Sequence, residues 1–407
     1  MTHSMPPLPL AITAHTLTSA LGCGNLATLD ALLNARSGLS ACDFYDVSLP
    51  TWIGRVQDVE QVALPEHLTI FTCRNNQLAL LALSQDGFMP AVERAKQRYG
   101  SHRIAVIIGT STSGILQTEL AFRRRTPEGH LPIDFHYAQT HEIASAAEFT
   151  RQLLQLDGPG LAISTACSSS AKAFASAQRM IAGGLCDAAI VGGVDSLCHT
   201  TLYGFSSLEL LSAQACRPAD AGRDGISIGE AAGFVLLERD NAIDAADDTA
   251  SVNFLGYGES SDAYHMSTPH PEGLGARLAM QRALTRAGLD IAHIDYINLH
   301  GTASKTNDRA EDLAVTELAG IQLPCSSTKG WTGHTLGAAG ITEAIISALC
   351  IQNDLIPGSL NTCRIDPEFN SRIVLNNQRT PIHRVLSNSF GFGGNNCSLV
   401  FAKRGMP

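Results

Sequence analysis

The chain has 407 residues, of which 44% are hydrophobic and 16% are charged, and its net charge is −10. This length exceeds one ordinary hydrophobic core and predicts two domains or one duplicated domain. The acidic balance argues against a nucleic-acid partner, because neutralising phosphates requires a basic face. The 11 cysteines show neither CxxC pairs nor zinc-ligand spacing, which favours a reduced, cytoplasmic compartment over a disulfide framework. We predict no signal peptide and no membrane span.

The first half of the chain alternates between predicted strands and helices. Strands are predicted at residues 8–14, 103–109, 161–164 and 188–193. Helices are predicted near 25–35 and at 74–84, 90–98 and 167–183. The run RIAVIIG at 103–109 is continuously apolar and ends in glycine, which is typical of a parallel strand covered on both faces. The polar stretch 110–155 is predicted to form helices and loops around a site.

The second half repeats features of the first. Its strands are predicted at 295–300, 324–329 and 397–402, and its main helix near 337–352. A glycine-rich turn leads into an apolar strand at both 227–237 and 389–400, while 161–183 and 324–350 both run from strand through polar loop to small-residue helix. Such an internal repeat predicts a duplicated α/β unit, with one half at residues 1–250 and the other at 251–407.

One cysteine stands in an unusual context. Ser164-Thr165-Ala166-Cys167 joins a predicted strand to a predicted helix, which places the thiol at or near the first helical turn. The positive end of a helix dipole favours an anion, so we expect a lowered pKa and a reactive thiolate. Free cysteines are more often small buried hydrophobes, and that is our interpretation of the other ten.

Three of the fourteen histidines also stand out. His300 ends a predicted strand, where α/β folds collect their ligands. His334 lies in a glycine-spaced loop before a helix, and His265 lies in a polar loop. The first two suit the polarising of a substrate carbonyl. A metal site is not expected, because no third ligand occurs at helical or hairpin spacing.

Four motifs together resemble a known family. They occur in the family's order at residues 164–171, 300–311, 327–340 and 387–396. On these motifs the chain resembles the β-ketoacyl-[acyl carrier protein] synthases of the thiolase fold, in the elongating type with a Cys/His/His triad. The resemblance implies an α/β fold of duplicated α/β/α/β/α layers, with mixed five-stranded sheets related by a pseudo-dyad.

The resemblance also implies a reaction. Cys167 would accept an acyl group, and its backbone N–H and that of Phe392 would form the oxyanion hole. Loss of carbon dioxide from malonyl-acyl carrier protein would leave an enolate that His300 and His334 stabilise. The product would be a 3-oxoacyl-acyl carrier protein. The enzyme would bind no cofactor or metal of its own, because its substrates are carried on the phosphopantetheine of acyl carrier protein.

Further residues match the family's supporting positions. Lys329 would lower the pKa of both histidines and would itself be held by Glu343. Asp308 and Glu311 would support this network.

A glycine-rich loop would gate the acyl pocket. Gly391 and Gly393 would leave the loop free to move, and Phe392 would act as a gate together with the 261–270 loop that contains His265. A tight turn before the last strand is the simpler interpretation of this loop, and both can hold. Thr112 matches a position that reaches the acyl pocket.

The partners implied by the resemblance are acyl carrier protein and a second subunit. The cluster Arg123, Arg124 and Arg125, with Arg74 as a second candidate, would dock the acidic carrier protein; a solvated helix face is the alternative. The family forms homodimers, or heterodimers with a homologous non-catalytic chain-length factor.

Competing classes fit the motifs less well. A degradative thiolase would use two cysteines, a papain-like hydrolase would need a different cysteine context, and a chain-length factor lacks the nucleophile. Ile226 and Ala231 replace a more usual Phe and Gly, which favours a specialised polyketide or polyene pathway over primary fatty acid synthesis.

Overall fold

The computed structural model describes residues 9–242 and 250–406. Its α-helices are α1 Gly24–Leu33, α2 Arg74–Leu83, α3 Phe88–Tyr99, α4 Ile115–Arg123, α5 Tyr137–Thr140, α6 Ser145–Leu153, α7 Ser169–Ala182, α8 His199–Ser207, α9 Leu274–Ala287, α10 Lys305–Ala319, α11 Lys329–Thr332 and α12 Ala339–Asn353. Its strands are β1 Leu10–Ser19, β2 Gly22–Cys23, β3 Ser40–Ala41, β4 Trp52–Gly54, β5 Ile104–Gly109, β6 Gly160–Ile163, β7 Ala188–Asp195, β8 Ile228–Gly229, β9 Ala231–Arg239, β10 Val252–Ser261, β11 Tyr296–Asn298, β12 Pro324–Ser326, β13 Leu355–Ile356, β14 Arg372–Ile373, β15 Gln378–Arg379, β16 Arg384–Gly391 and β17 Asn395–Lys403.

Five strands of the first half lie side by side in the order β1-β9-β7-β5-β6. Because β1 also pairs antiparallel with β10 of the second half, the two predicted five-stranded sheets are joined into one continuous 12-stranded sheet. The pairs β1·β9 and β9·β7 are antiparallel, whereas β7·β5 and β5·β6 are parallel. The parallel strand β5 is buried along its whole length, as its continuous apolar run predicts.

Five strands of the second half repeat this arrangement in the order β10-β17-β16-β11-β12. The pairs β10·β17 and β17·β16 are antiparallel, and β16·β11 and β11·β12 are parallel. A register shift also recurs in equivalent pairs: between residues 12 and 14 where β1 pairs with β9, and between residues 254 and 256 where β10 pairs with β17. This repetition confirms the predicted duplicated fold. The exact division at residue 250 stays a prediction.

Two central helices, α7 and α12, pack against each other between the halves, and glycines allow the close approach. A Cβ placed on Gly340 of α12 would lie 2.5 Å from the backbone nitrogen of Ala171 on α7. A Cβ on Gly193 of the neighbouring strand β7 would lie 2.7 Å from Cβ of Ser170 on α7. The stretch Leu336–Asn353 is long and apolar enough to cross a membrane, but 89% of it is buried inside the protein. Such burial is typical of the core helix of a soluble protein.

Most predicted elements agree with the structure, with differences at their ends. The first strand begins at Leu10, and residue 8 of its predicted range lies outside the described residues. Strand β7 continues to Asp195, two residues beyond its predicted end. Helix α7 begins at Ser169 rather than at Cys167, because the N-cap Ser168 has φ −93° and ψ 2°, outside the helical region.

Candidate active site

The predicted nucleophile, Cys167, lies in a tight turn between β6 and α7. Cys167 directly precedes Ser168, the N-cap of α7, and its side chain is buried. The left-handed Ala166 turns the chain sharply, and its carbonyl accepts the N–H of Ser169 at 3.1 Å. The turn therefore fixes the thiol just in front of the helix, not within its first turn.

The structure brings the three predicted triad residues together. Cys167 Sγ and one ring nitrogen of each of His300 and His334 lie within 4.8 Å of one another. Nε2 of His334 is 3.1 Å from Sγ, and the two imidazole rings meet edge to face with centroids 5.3 Å apart. All three side chains line one cavity.

Hydrogen bonds behind each ring set the histidine tautomers. Nδ1 of His334 accepts the N–H of Leu336 at 3.3 Å, and Nδ1 of His300 lies 3.2 Å from the Lys329 ammonium, which is a donor only. Each neutral ring therefore carries its proton on Nε2. Burial and Lys329 lower the pKa of both histidines well below its usual value, so both rings are neutral hydrogen-bond donors.

These tautomers bear on the expectation that no metal binds. A cysteine and two histidines at this spacing could hold a metal ion, but metal ligation requires an unprotonated ring nitrogen. Because both Nδ1 atoms already accept hydrogen bonds, the arrangement favours donation to a substrate oxygen. The absence of a metal stays a prediction.

Lys329 is buried and contacts both the histidine and a carboxylate. Its ammonium donates to Glu343 and, at 2.5 Å, to the carbonyl of His300. Burial raises the pKa of Glu343 to about 7, although Lys329 opposes that shift. The predicted pairing of Lys329 with Glu343 is therefore present in the structure.

Two further carboxylates hold the loop that carries His300. Glu311 accepts the backbone N–H groups of His300 at 2.8 Å and Gly301 at 2.7 Å, and burial raises its pKa to about 7. Asp308 accepts the N–H of Ala303 at 3.1 Å, and burial raises its pKa as well. Neither carboxylate lines the cavity, so each acts through the loop backbone.

The expectation of a lowered thiol pKa is wrong for this structure. Burial raises the pKa of Cys167 to about 11, while Lys329 and the backbone N–H of Phe392 act in the opposite direction. The helix dipole was the reason for that expectation, but desolvation of the buried sulfur outweighs the favourable interactions. The contact with the Phe392 N–H places one predicted oxyanion-hole donor at the sulfur.

The glycine-rich loop contacts both Cys167 and the second predicted gate segment. A Cβ on Gly391 would lie 3.2 Å from the backbone nitrogen of Cys167. Gly393 has a φ of 76°, and its N–H donates to the carbonyl of Met266 at 2.7 Å. The ring of Phe392 lies 5.7 Å from that of Phe205 on α8. The loop and the 261–270 segment are thus physically linked.

Three of the predicted gate and pocket residues, Gly393, His265 and Thr112, do not line this cavity. His265 is exposed, and its Nδ1 accepts the N–H of Ser267 at 3.2 Å. Thr112 is buried, and its hydroxyl donates to Asp195 at 2.8 Å. Their roles at the acyl pocket stay predictions.

The prediction that Arg74 docks carrier protein is wrong. Arg74 is 4% exposed and makes a two-pronged ion pair with the fully buried Glu230, at 2.8 and 2.6 Å. A buried, paired guanidinium cannot meet an acidic partner.

The arginine cluster at the end of α4 does reach the surface. Arg123 pairs with Asp46 at 2.9 Å, and Arg124 pairs with Asp134 at 3.0 Å. Arg125 lies 6.0 Å from the ring of Phe122. Docking by this cluster stays a prediction.

Several cavity residues escaped the sequence reasoning. The mouth and walls include residues of both polar and apolar character: Phe205, Leu210, Thr302, Ser304, Asn307 and Phe390. Thr302 and Ser304 lie two and four residues after His300, so their position in the motif was a usable signal. Asp195 was also missed, although a carboxylate at the carboxyl end of a buried strand is where α/β folds place functional groups.

Comparison with known proteins gives consistent matches. Family models described as "Beta-ketoacyl synthase, N-terminal domain" and "Beta-ketoacyl synthase, C-terminal domain" match residues 75–242 and 252–363. A 3-oxoacyl-[acyl-carrier-protein] synthase 2 of Rhizobium meliloti is 38% identical over 338 residues, covering 79% of this chain and 78% of the relative. The protein of the same name from Staphylococcus aureus is 35% identical, covering 74% and 75%.

Solved structures agree with this comparison. The chain is similar to a ketosynthase, ApeO, solved in complex with its chain length factor, ApeC, from Xenorhabdus doucetiae, with 39% identity, a TM-score of 0.87 and coverage of 97% and 98% of the two chains. It is also similar to the ishigamide ketosynthase/chain length factor, with 25% identity, a TM-score of 0.88 and coverage of 98% and 100%.

Proposed function

The chain belongs to the β-ketoacyl synthase family and is a ketosynthase, and we propose that Cys167, His300 and His334 carry out its condensation. An acyl group is joined to malonyl-acyl carrier protein with loss of carbon dioxide, which gives a 3-oxoacyl-acyl carrier protein. The substrates arrive on the phosphopantetheine of carrier protein. The observation that carries the residue assignment is the pair of Nε2–H donors directed into one cavity beside a single buried thiol.

In the first step Cys167 accepts the acyl group. Its sulfur attacks the thioester carbonyl, and the N–H groups of Cys167 and Phe392 stabilise the oxyanion. The carbon–sulfur bond to pantetheine then breaks, and the thiol proton passes overall to the departing pantetheine sulfur.

In the second step malonyl-carrier protein occupies the cavity. The bond between its α-carbon and carboxylate breaks, and the electron pair becomes an enolate whose oxygen accepts hydrogen bonds from His300 and His334. The enolate carbon then attacks the acyl carbonyl, and the bond to Cys167 breaks to release the longer chain. Fixed Nε2–H donors suit this step because they need not reorganise as negative charge develops on the enolate oxygen.

We further propose that the protein works in the cytoplasm as the catalytic subunit of a heterodimer with a homologous chain-length factor, in a specialised polyketide pathway. The similarity to a ketosynthase solved with its chain length factor, over nearly the whole of both chains, supports this pairing. All 11 cysteines are free, which supports a reducing compartment. A homodimer in fatty acid synthesis is the alternative, favoured by the similarity to the Rhizobium meliloti synthase.

Intact-mass spectrometry tests both the assignment of Cys167 as the nucleophile and the proposed heterodimer. Purified protein is incubated with a panel of acyl-carrier proteins and then with malonyl-carrier protein. The acyl mass should appear on wild type but not on Cys167→Ala, and a 3-oxoacyl product should follow. Acylation of Cys167→Ala would contradict the assignment of the nucleophile. Full activity without a second subunit would contradict the heterodimer.

A further inference from the structure

A buried carboxylate lies behind the active site, where it contacts one strained turn directly and the other through a serine. Asp195 ends β7 and has no exposed surface. It accepts the hydroxyl of Thr110 at 2.6 Å, the hydroxyl and N–H of Thr112 at 2.8 Å, and the N–H of Ser111 at 2.8 Å. Its other oxygen accepts the N–H of Gly337 at 2.5 Å.

The bond to Gly337 fixes the turn that orients His334. Gly337 lies in the short turn Leu336–Ala338, and Leu336 there has a φ of 53°. A side chain in this region of φ costs about 1–2 kcal/mol, so the surrounding structure must hold it. The N–H of the same Leu336 donates to Nδ1 of His334, and that bond keeps the proton on Nε2.

The bond to Ser111 reaches the nucleophile from the other side. The Ser111 hydroxyl donates to the carbonyl of Ala166 at 3.2 Å, and Ala166 is the left-handed residue directly before Cys167. One carboxylate thus holds the backbone behind the thiol and the backbone behind its neighbouring histidine.

We infer that Asp195 is a positioning residue for the condensation, because its carboxylate fixes the turn that orients His334 and, through Ser111, the turn that presents Cys167. This inference rests on the proposed function. Asp195 contacts neither substrate nor sulfur. Its effect is on the tautomer and placement of His334, where an error of about 1 Å can cost roughly 100-fold in rate.

The test compares Asp195→Asn with Glu238→Gln. Glu238 is a buried carboxylate on the adjacent strand β9 that accepts the Arg98 guanidinium at 2.7 Å, and we assign it no role in the site. For Asp195→Asn we expect kcat to fall about 10- to 100-fold with KM for malonyl-carrier protein within about twofold. Nitrogen NMR of the His334 ring should show loss of the single Nε2–H tautomer. Glu238→Gln should change neither kcat nor the His334 tautomer, even if it lowers the unfolding temperature.

A milder variant keeps the test decisive if Asp195→Asn does not fold. Thr110→Val removes the hydroxyl that donates to Asp195 and accepts the N–H of Ser113 at 3.0 Å, but it leaves the carboxylate. It should lower kcat several-fold without changing KM. Wild-type kcat and an unchanged His334 tautomer in the folded variants would overturn the inference, as would an equal loss of kcat in Glu238→Gln. Failure of wild type itself to condense would instead refute the proposed function, while the NMR comparison would still test Asp195.

Discussion

Replacing Lys329 by methionine separates its two roles, which are pairing with Glu343 and setting the tautomer of His300. The ammonium is buried and contacts Nδ1 of His300 at 3.2 Å. A hydrogen bond from a charged group contributes about 1.5–3 kcal/mol, and each 1.36 kcal/mol corresponds to about tenfold in rate. We therefore expect Lys329→Met to slow condensation roughly 10- to 150-fold.

The same substitution should also destabilise the fold. It leaves the Glu343 carboxylate buried without its partner, which costs about 3–5 kcal/mol. The double variant Lys329→Met/Glu343→Gln removes both charges, so its stability should return close to that of wild type. Its activity should stay low, because Nδ1 of His300 still lacks a donor.

Two measurements decide this prediction. Thermal unfolding reports stability, and the rate of 3-oxoacyl product formation, followed by mass spectrometry, reports catalysis. Recovery of both stability and rate in the double variant would refute the reasoning, since it would mean that Lys329 serves only to neutralise Glu343.

Three further outcomes follow from the geometry. His334→Ala should slow acylation of Cys167, because Nε2 of His334 lies 3.1 Å from Sγ. His300→Ala should leave the acylation rate within about threefold of wild type and slow condensation about 100- to 1,000-fold. Equal effects of the two variants on acylation, measured by intact mass, would contradict this division of roles. Because the pKa of Cys167 is raised to about 11, the thiolate fraction and the rate of iodoacetamide alkylation should rise about tenfold per pH unit between pH 7 and 9, and a flat profile would mean that the thiolate is already formed. Arg124→Glu should raise KM for carrier protein several-fold without lowering the unfolding temperature, as Arg124 is half-exposed; an unchanged KM would remove the cluster from the docking surface.

The sequence predicted the parts of the site that are encoded by local motifs. Cys167, His300 and His334 each stand at a junction between a regular element and a loop, and the duplication needed only the repeated pattern of elements. These features depend on neighbours close in sequence, which a single chain displays directly.

What the sequence could not predict depends on distant neighbours. Arg74 looks like a surface cation until Glu230, 156 residues away, is placed beside it. The pKa of Cys167 is raised by burial among elements from throughout the chain, whereas the expected lowering depended on a single helix end. Asp195 stood at a strand end like His300, but only the fold reveals that Gly337 donates to it.

The repeated strand order implies that the two halves have become chemically unequal after duplication. In the first half, the segments after β5, β6 and β7 contain Thr112, Cys167 and Ser196, respectively. The equivalent segments of the second half, after β11, β12 and β16, contain His300, Lys329 and Phe392. Two copies of the first half would supply Cys167 twice but neither His300 nor His334, while two copies of the second would supply both histidines but no Cys167. Catalysis thus requires one of each, and neither half can revert to its ancestral symmetry without losing the reaction.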